Sequence, residues 1–222
     1  MSGRYQHLIF DLDETLYPRH AGVMDAIGNR IHLYLINHLS CSYEEAVRLR
    51  RRYYLEYGTA LRGLQVEHHI DADEYLRFVH AVPLENYLEP DVALDAMLSR
   101  IPLRKAIFTN ADSAHARRVM ERLDVTHHFP VVIDIYGMGF QCKPNPEAYR
   151  RLLDVLGVPG QACIMVEDLA RNLRPARELF GITTILVDGD QSDGVDHVID
   201  NLFELEALVN RLICLNGQAG AK

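Results

Sequence analysis

His7-Leu8-Ile9-Phe10-Asp11-Leu12-Asp13-Glu14-Thr15-Leu16 decides how the rest of the chain is read. A short apolar run that ends abruptly in carboxylates suits a strand buried on both faces of a parallel sheet. Its polar exit then lies at the carboxyl edge, where such sheets bind ligands. Four more runs share this character: Lys105-Ala106-Ile107-Phe108, Val131-Val132-Ile133, Ala162-Cys163-Ile164-Met165-Val166 and Thr184-Ile185-Leu186-Val187. Helical patterns alternate with them at Ala114 to Leu123, at Pro146 to Leu156 with Gly157 as a stop, and at Leu173 to Phe180 with Gly181 as another. A last helix is expected near Phe203 to Ile213, followed by a frayed tail from Asn216 to Lys222. This alternation predicts a doubly wound α/β fold.

Between the first two strands, about seventy residues from Tyr17 to Glu89 show helical periodicity and no strand pattern. Ala21 to Leu39 sets Val23, Ile27, Ile31, Tyr34, Leu35 and His38 on one stripe, and Tyr43 to Tyr57 and Asp73 to Val82 repeat the habit. A βαβ crossover needs far less chain than this, so the segment reads as an inserted helical domain. The expected division is a discontinuous core of residues 1–16 and 90–222 and a cap of residues 17–89. Hinges are expected at Leu16-Tyr17-Pro18 and Pro83 to Pro90, where proline stiffens the linkers.

The 222 residues carry 31 acidic and 23 basic side chains, a formal net charge of −8. That balance argues against a nucleic-acid polymer as partner, because phosphate backbones demand a basic face. No run approaches the ~18 apolar residues of a membrane span, and no signal-peptide pattern opens the sequence. The cysteines Cys41, Cys142, Cys163 and Cys214 form no C-x-x-C pair, so a zinc site and a disulfide framework are both disfavoured and a reduced, cytoplasmic protein is expected. His68-His69 and His127-His128 read as solvated surface pairs, since neighbours point apart and no carboxylate stands at ligand spacing.

The chemistry gathers at the strand ends. Asp11 and Asp13, two apart in extended chain, would face one side, one as nucleophile or metal ligand and the other as acid and base. The second strand ends Thr109-Asn110-Ala111-Asp112, the fourth Glu167-Asp168, and Gln141-Cys142-Lys143-Pro144 precedes an intervening helix. A Thr109 hydroxyl and the following N–H groups could hold phosphoryl oxygens, with Lys143 as a point charge. Glu167, Asp168 and Asp11 would form an oxygen-rich site suited to Mg2+. Taken singly these are a turn, a solvated lysine and a helix cap; together, in this order, they define one site.

These four segments resemble the signature motifs of the haloacid dehalogenase superfamily: D-x-D-x-T-L at Asp11 to Leu16, Thr109, the Lys143-Pro144 loop and the acidic pair Glu167-Asp168. The wording at Phe10 to Tyr17, Tyr57 to Leu64, Tyr87 to Asp91 and Phe108 to Asp112 is similar to the pyrimidine 5′-nucleotidase branch. That branch often has two aspartates and a serine where this chain has Glu167-Asp168-Leu169. The resemblance implies a Rossmann-like parallel-sheet core with an inserted all-helical cap. It also implies a two-step phosphoryl transfer in which Asp11 attacks phosphorus and water hydrolyses the aspartyl phosphate, with Asp13 as acid and then base. Asp11, the Asp13 backbone carbonyl and Asp168 would ligate Mg2+, with Glu167 beside or behind it, while Thr109, Asn110 and Lys143 bind the phosphoryl group. The family's dehalogenases lack an acid at the position of Asp13, so its presence points to phosphate chemistry.

The expectation is thus a Mg2+-dependent phosphatase of a small ester, foremost a pyrimidine nucleoside 5′-monophosphate, with phosphoglycolate or a sugar phosphate as alternatives. A receiver domain uses similar groups but has about half the length and no helical insertion; a silent phosphate-binding module is the other rival. Arg62 and Asn110 to Asp112 are the candidates for contacting base or sugar. Tyr53, Tyr54 and Tyr57 could stack on a base or fill the cap core.

Overall fold

The structure, a computed structural model, describes residues 4–188 and 193–219. Among them six strands form one wholly parallel sheet: β1 (His7–Phe10), β2 (Arg104–Phe108), β3 (Val131–Ile133), β4 (Cys163–Glu167), β5 (Thr183–Val187) and β6 (His197–Ile199), in the order β3-β2-β1-β4-β5-β6. Burial on both faces explains the unbroken apolar runs. Leu8 and Phe10 enter one core with α5 (Val92–Arg100), α6 (Ser113–Leu123) and α9 (Leu205–Ala219), and the intervening Ile9 enters the other with α7 (Pro146–Leu156) and α8 (Ala170–Phe180). The result is three layers, α/β/α, with chain order reversing beside β1. Phe10 aligns with Ile107 of β2 and Val166 of β4, so the residues after these strands emerge together.

The insertion is helical as expected: α1 (Val23–Leu39), α2 (Tyr43–Tyr57), α3 (Ala60–His68) and α4 (Ala72–Val79). Each start after the first is set by a side chain that satisfies an orphan backbone N–H. Ser42 and Glu45 form a capping box on α2, Thr59 accepts from the Arg62 N–H on α3, and Asp71 accepts from the Glu74 N–H on α4. Gly63 lets α3 lie against α2, since a Cβ there would sit 2.3 Å from the Tyr53 ring. Gly58, at φ +89°, presses the turn between these helices onto the Lys143 loop, where a Cβ would meet the Cys142 sulfur at 2.8 Å.

Several elements differ from expectation. α3, α5 and β6 had not been read: Gly63 weakens the α3 pattern, Asp91 caps an α5 whose first residue is exposed, and β6 is three residues long. His38 stacks on Tyr34 of the α1 stripe, with centroids 3.8 Å apart, but lies at its exposed edge, where it pairs with Glu74. α8 starts at Ala170, accommodating Pro175, and α9 continues to Ala219, so the tail is helical that far; Gly220 to Lys222 lie outside the described residues. No helix among the described residues is long and apolar enough to cross a membrane.

Candidate active site

β1 stops at Phe10, and the chain then turns, with the Leu16 N–H donating to the Leu12 carbonyl and Glu14 at φ 61°. Asp11 and Asp13 both line the cavity while the intervening Leu12 is buried in the core, as the two-residue spacing predicts, and the turn bends the chain from Asp13 onward. The Asp11 N–H remains tied to the Val166 carbonyl of β4 at 3.0 Å, so its position is set by the sheet.

Lys143, on the loop into α7, is 1% exposed. Its Nζ donates to Asp11 Oδ1 at 2.6 Å and to Glu167 Oε1 at 2.9 Å. Burial favours losing the lysine's proton, but the Asp11 and Glu167 charges outweigh it and raise the Lys143 pKa. Asn110 fixes this loop: its Oδ1 accepts from the Lys143 N–H at 2.8 Å and its Nδ2 donates to the Lys143 carbonyl at 3.2 Å. The Asn110 side-chain amide is thus occupied with the loop, although the residue itself lines the cavity. Thr109 Oγ1 accepts from the Ala111 N–H at 3.0 Å, so its own hydrogen is available to a ligand.

Asp11, Glu167 and Asp168 offer carboxylate oxygens all within 4.8 Å of one another. Glu167, 0% exposed, has both oxygens engaged, Oε1 by Lys143 and Asn172 and Oε2 by the Leu169 N–H. Among the described residues Asp168 has only Arg19, at 3.4 Å. Burial, followed by the neighbouring carboxylates, raises Asp168 to about 8. Burial raises Asp11 to about 7 despite Lys143. A buried carboxylate set short of positive charge is the donor chemistry a hard divalent cation fits. Asp11 and Asp168 would hold Mg2+, while Glu167, with its oxygens spent, orients Lys143 and Asn172 from behind.

Asp13 is anchored separately. Its Oδ1 accepts from Tyr17 OH at 2.5 Å and from His115 Nε2 at 2.8 Å. Burial pushes its pKa up, but His115 and then Tyr17 outweigh that and hold it low. His115 stacks on His80 with ring centroids 4.3 Å apart, and His80 Nδ1 lies 2.6 Å from Asp112 Oδ2. The sequence pattern assigns no site role to Tyr17, His80, His115 or Asn172. Tyr17 and Asn172 lie four and five residues from their carboxylates, a local signal that could have found them. His115 comes from α6, 102 residues from Asp13, and had none.

Above these groups a cavity of about 550 Å³ lies between the strand ends and the helical insertion, reaching Met24, Ile31, His32, Arg50, Arg51, Tyr54 and Tyr75. Gly58, Thr59, Ala60 and Leu61 line it but Arg62 does not; α3 turns that residue off the wall, leaving Arg50 and Arg51 as the cap cations at the cavity. Asp112 is likewise committed, as N-cap of α6 and partner of His80. Of the tyrosines, Tyr53 is core, Tyr57 donates to Glu67, and Tyr54 lines the cavity beneath Arg171. Elsewhere, His127 and His128 do not point apart: both bring Nε2 to Asp95 Oδ1, at 3.0 and 2.8 Å, and this carboxylate on α5 is too distant in sequence for local spacing to reveal.

A doubly wound sheet with an aspartate after β1, a buried lysine beside it and an acidic pair at the end of β4 defines a class of hydrolase with a helical insertion. The family model for haloacid dehalogenase-like hydrolases matches residues 5–179, and the chain belongs to that family. It is 27% identical over 221 residues to phosphate metabolism protein 8 of Saccharomyces cerevisiae, covering 91% of this chain and 64% of the yeast protein. The chain thus spans less than two thirds of that relative's length. A phosphatase of Mycobacterium tuberculosis is 27% identical over 132 residues, 59% of this chain and 60% of that protein. The crystal structure of a phosphatase of this family from Thermococcus onnurineus superposes with a TM-score of 0.63 at 19% identity, covering 92% of this chain and 97% of that one, which shows the shared fold.

Proposed function

We propose that the chain is a Mg2+-dependent phosphomonoesterase that works through an aspartyl phosphate on Asp11, with a pyrimidine nucleoside 5′-monophosphate as the substrate class. The observation that carries the reading is the division of labour between two buried aspartates. Asp11 lies against Lys143 and Asp168, while Asp13 is held apart by Tyr17 and His115. Two carboxylates in different environments can serve as nucleophile and as proton carrier. The Mycobacterium tuberculosis phosphatase among the relatives supports the reaction class.

In the first step Asp11 forms a bond to phosphorus as the bond to the ester oxygen breaks. The resting Asp13 carboxylate is ionised, so the proton it hands to the leaving oxygen enters with the phosphate monoanion, whose second pKa is about 6. In the second step water attacks the aspartyl phosphate, Asp13 takes its proton, and Asp11 is released with inorganic phosphate. Lys143 and the Thr109 hydroxyl offset charge on the phosphoryl oxygens. When bound, Mg2+ would supply further positive charge to the phosphoryl group.

The cavity volume and the roof support a nucleotide-sized leaving group. Tyr54 offers an aromatic face, and Arg50, Arg51 and His32 offer polar contacts to base or ribose. A phosphate-release screen over nucleotides, sugar phosphates and phosphoglycolate, with Mg2+ and with a chelator, tests the proposal. Metal-dependent release led by pyrimidine monophosphates is expected. Turnover confined to phosphoglycolate or sugar phosphates overturns the substrate class, and no release from any ester overturns the reaction.

A further inference from the structure

Asp13 has two carboxylate oxygens, and the structure treats them unequally. Oδ1 accepts two hydrogen bonds, from Tyr17 OH at 2.5 Å and from His115 Nε2 at 2.8 Å. Among the described residues no hydrogen bond to Oδ2 is present. Two donors from separate segments of the chain on one oxygen hold that end of the carboxyl group, and the second oxygen is the one left for proton transfer.

The donors are themselves immobilised. Tyr17 is 3% exposed and follows directly on the turn that carries Asp13. The His115 side chain is 0% exposed, and its ring lies against that of His80 at 4.3 Å and an interplanar angle of 17°. His80 follows α4, the last helix of the insertion, and is held by Asp112 Oδ2 at 2.6 Å and through its carbonyl by Arg118 at 2.7 Å. The ring that aims Asp13 is thus clamped between α6 of the core and the end of the helical insertion.

His115 Nδ1 is buried with no hydrogen-bond partner among the described residues. Leaving a buried polar atom unpaired is costly, and an apolar side chain would pack against His80 without that cost. A purely structural role therefore does not account for an imidazole here. A requirement for an N–H donor aimed at Asp13 does.

We propose that His115, propped by His80, and Tyr17 are positioning residues that pin Asp13 Oδ1 so that Oδ2 exchanges the proton with the leaving oxygen and then with water. This rests on the phosphatase reading above and adds to it which atom works and what holds it.

The test compares kcat/KM for two monoesters, a nucleoside monophosphate with an alkoxide leaving group and p-nitrophenyl phosphate with a stabilised phenolate. The first needs its leaving oxygen protonated and the second does so far less, so misplacing Asp13 penalises them unequally. His115→Phe keeps a ring for His80 to stack on and deletes the donor, His115→Gln keeps an N–H, and Tyr17→Phe removes one hydroxyl. For His115→Phe and Tyr17→Phe, kcat/KM for the nucleotide is expected to fall about 30-fold and that for the aryl ester less than about 3-fold, with His115→Gln recovering much of the loss. Equal losses on both esters, or no loss in Tyr17→Phe, overturn the inference while leaving the phosphatase reading intact. An unmodified protein that releases phosphate from neither ester overturns the phosphatase reading and this inference with it.

Discussion

Asp11, Thr109, Lys143 and Asp168 reach the cavity from four segments, and three of them directly follow strands of one sheet, whereas the groups facing them come from four helices joined by short turns. In the lower half, the alignment of Phe10 with Ile107 and Val166 places Asp11 between the ends of β2 and β4 to within a residue. In the upper half no ladder sets register. Arg62 misses the cavity and Arg50 reaches it, although both lie on adjacent inserted helices. A sheet edge converts position in sequence into position in space, and a helical roof does so only through packing. Under the proposed function, the chemistry would sit on the sheet and the selection of substrate would fall to the roof.

Changes to the sheet edge should be severe and indifferent to which ester is used. Asp11→Asn removes the attacking oxygen, and phosphate release from every ester should fall at least about 1,000-fold with unchanged circular dichroism. Lys143→Met should strike stability as well. It leaves Asp11 and Glu167 buried without the charge that now lies 2.6 and 2.9 Å away, and stranding a buried ion costs about 3–5 kcal/mol. Urea titration at neutral pH, with metal chelated, reads that loss.

The acidic cluster gives a pH signature that the roof should lack. Without metal, burial holds Asp11 to about 7 and Asp168 to about 8, both above the value of 3.8 they have when exposed. Carboxyls raised in this way stabilise the fold while protonated, and the contribution disappears as pH climbs through those values. Chelated protein should melt at least about 4 °C lower at about pH 9 than at about pH 5. Added Mg2+ should raise Tm more at the alkaline end, because the cation binds the ionised pair. A melting temperature insensitive to both pH and Mg2+ would dissolve the contrast between the two halves.

Changes to the roof should be milder and substrate-dependent. Arg50→Ala is expected to raise KM for the preferred nucleotide about 10-fold, the worth of one charged hydrogen bond, while leaving kcat for p-nitrophenyl phosphate unchanged. Arg62→Ala should leave nucleotide preference as it was, since that side chain does not line the cavity. Competition assays with mixed nucleotides resolve either effect.

The same division explains what the sequence disclosed. Apolar runs ending in polar residues located β1 to β5, and the carboxyl-edge rule placed Asp11, Thr109 and Asp168 beside one cavity with Lys143 from the neighbouring loop. Runs of three residues, as in β6, and a helix interrupted by Gly63 fall below what periodicity detects. Asp13 and His115 meet across 102 residues, and His127 and His128 meet Asp95 from a different helix. Spacing carries no information about such pairs, because they depend on how α6 packs on the sheet and how α5 lies beside the turn before β3. The positions of Arg50 and Arg62 depend in the same way on the rotation of α2 and α3 about their axes.

The central claim is that phosphoryl transfer passes through Asp11, and trapping the covalent species tests it most directly. Protein turning over a nucleoside monophosphate with Mg2+ is quenched in acid, reduced with borohydride and mapped by peptide mass spectrometry. Reduction of an acyl phosphate converts that aspartate to homoserine, and this change is expected at Asp11 and at neither Asp13 nor Asp168. Phosphate release with Asp11 unaltered, or with the change at another carboxylate, would contradict it.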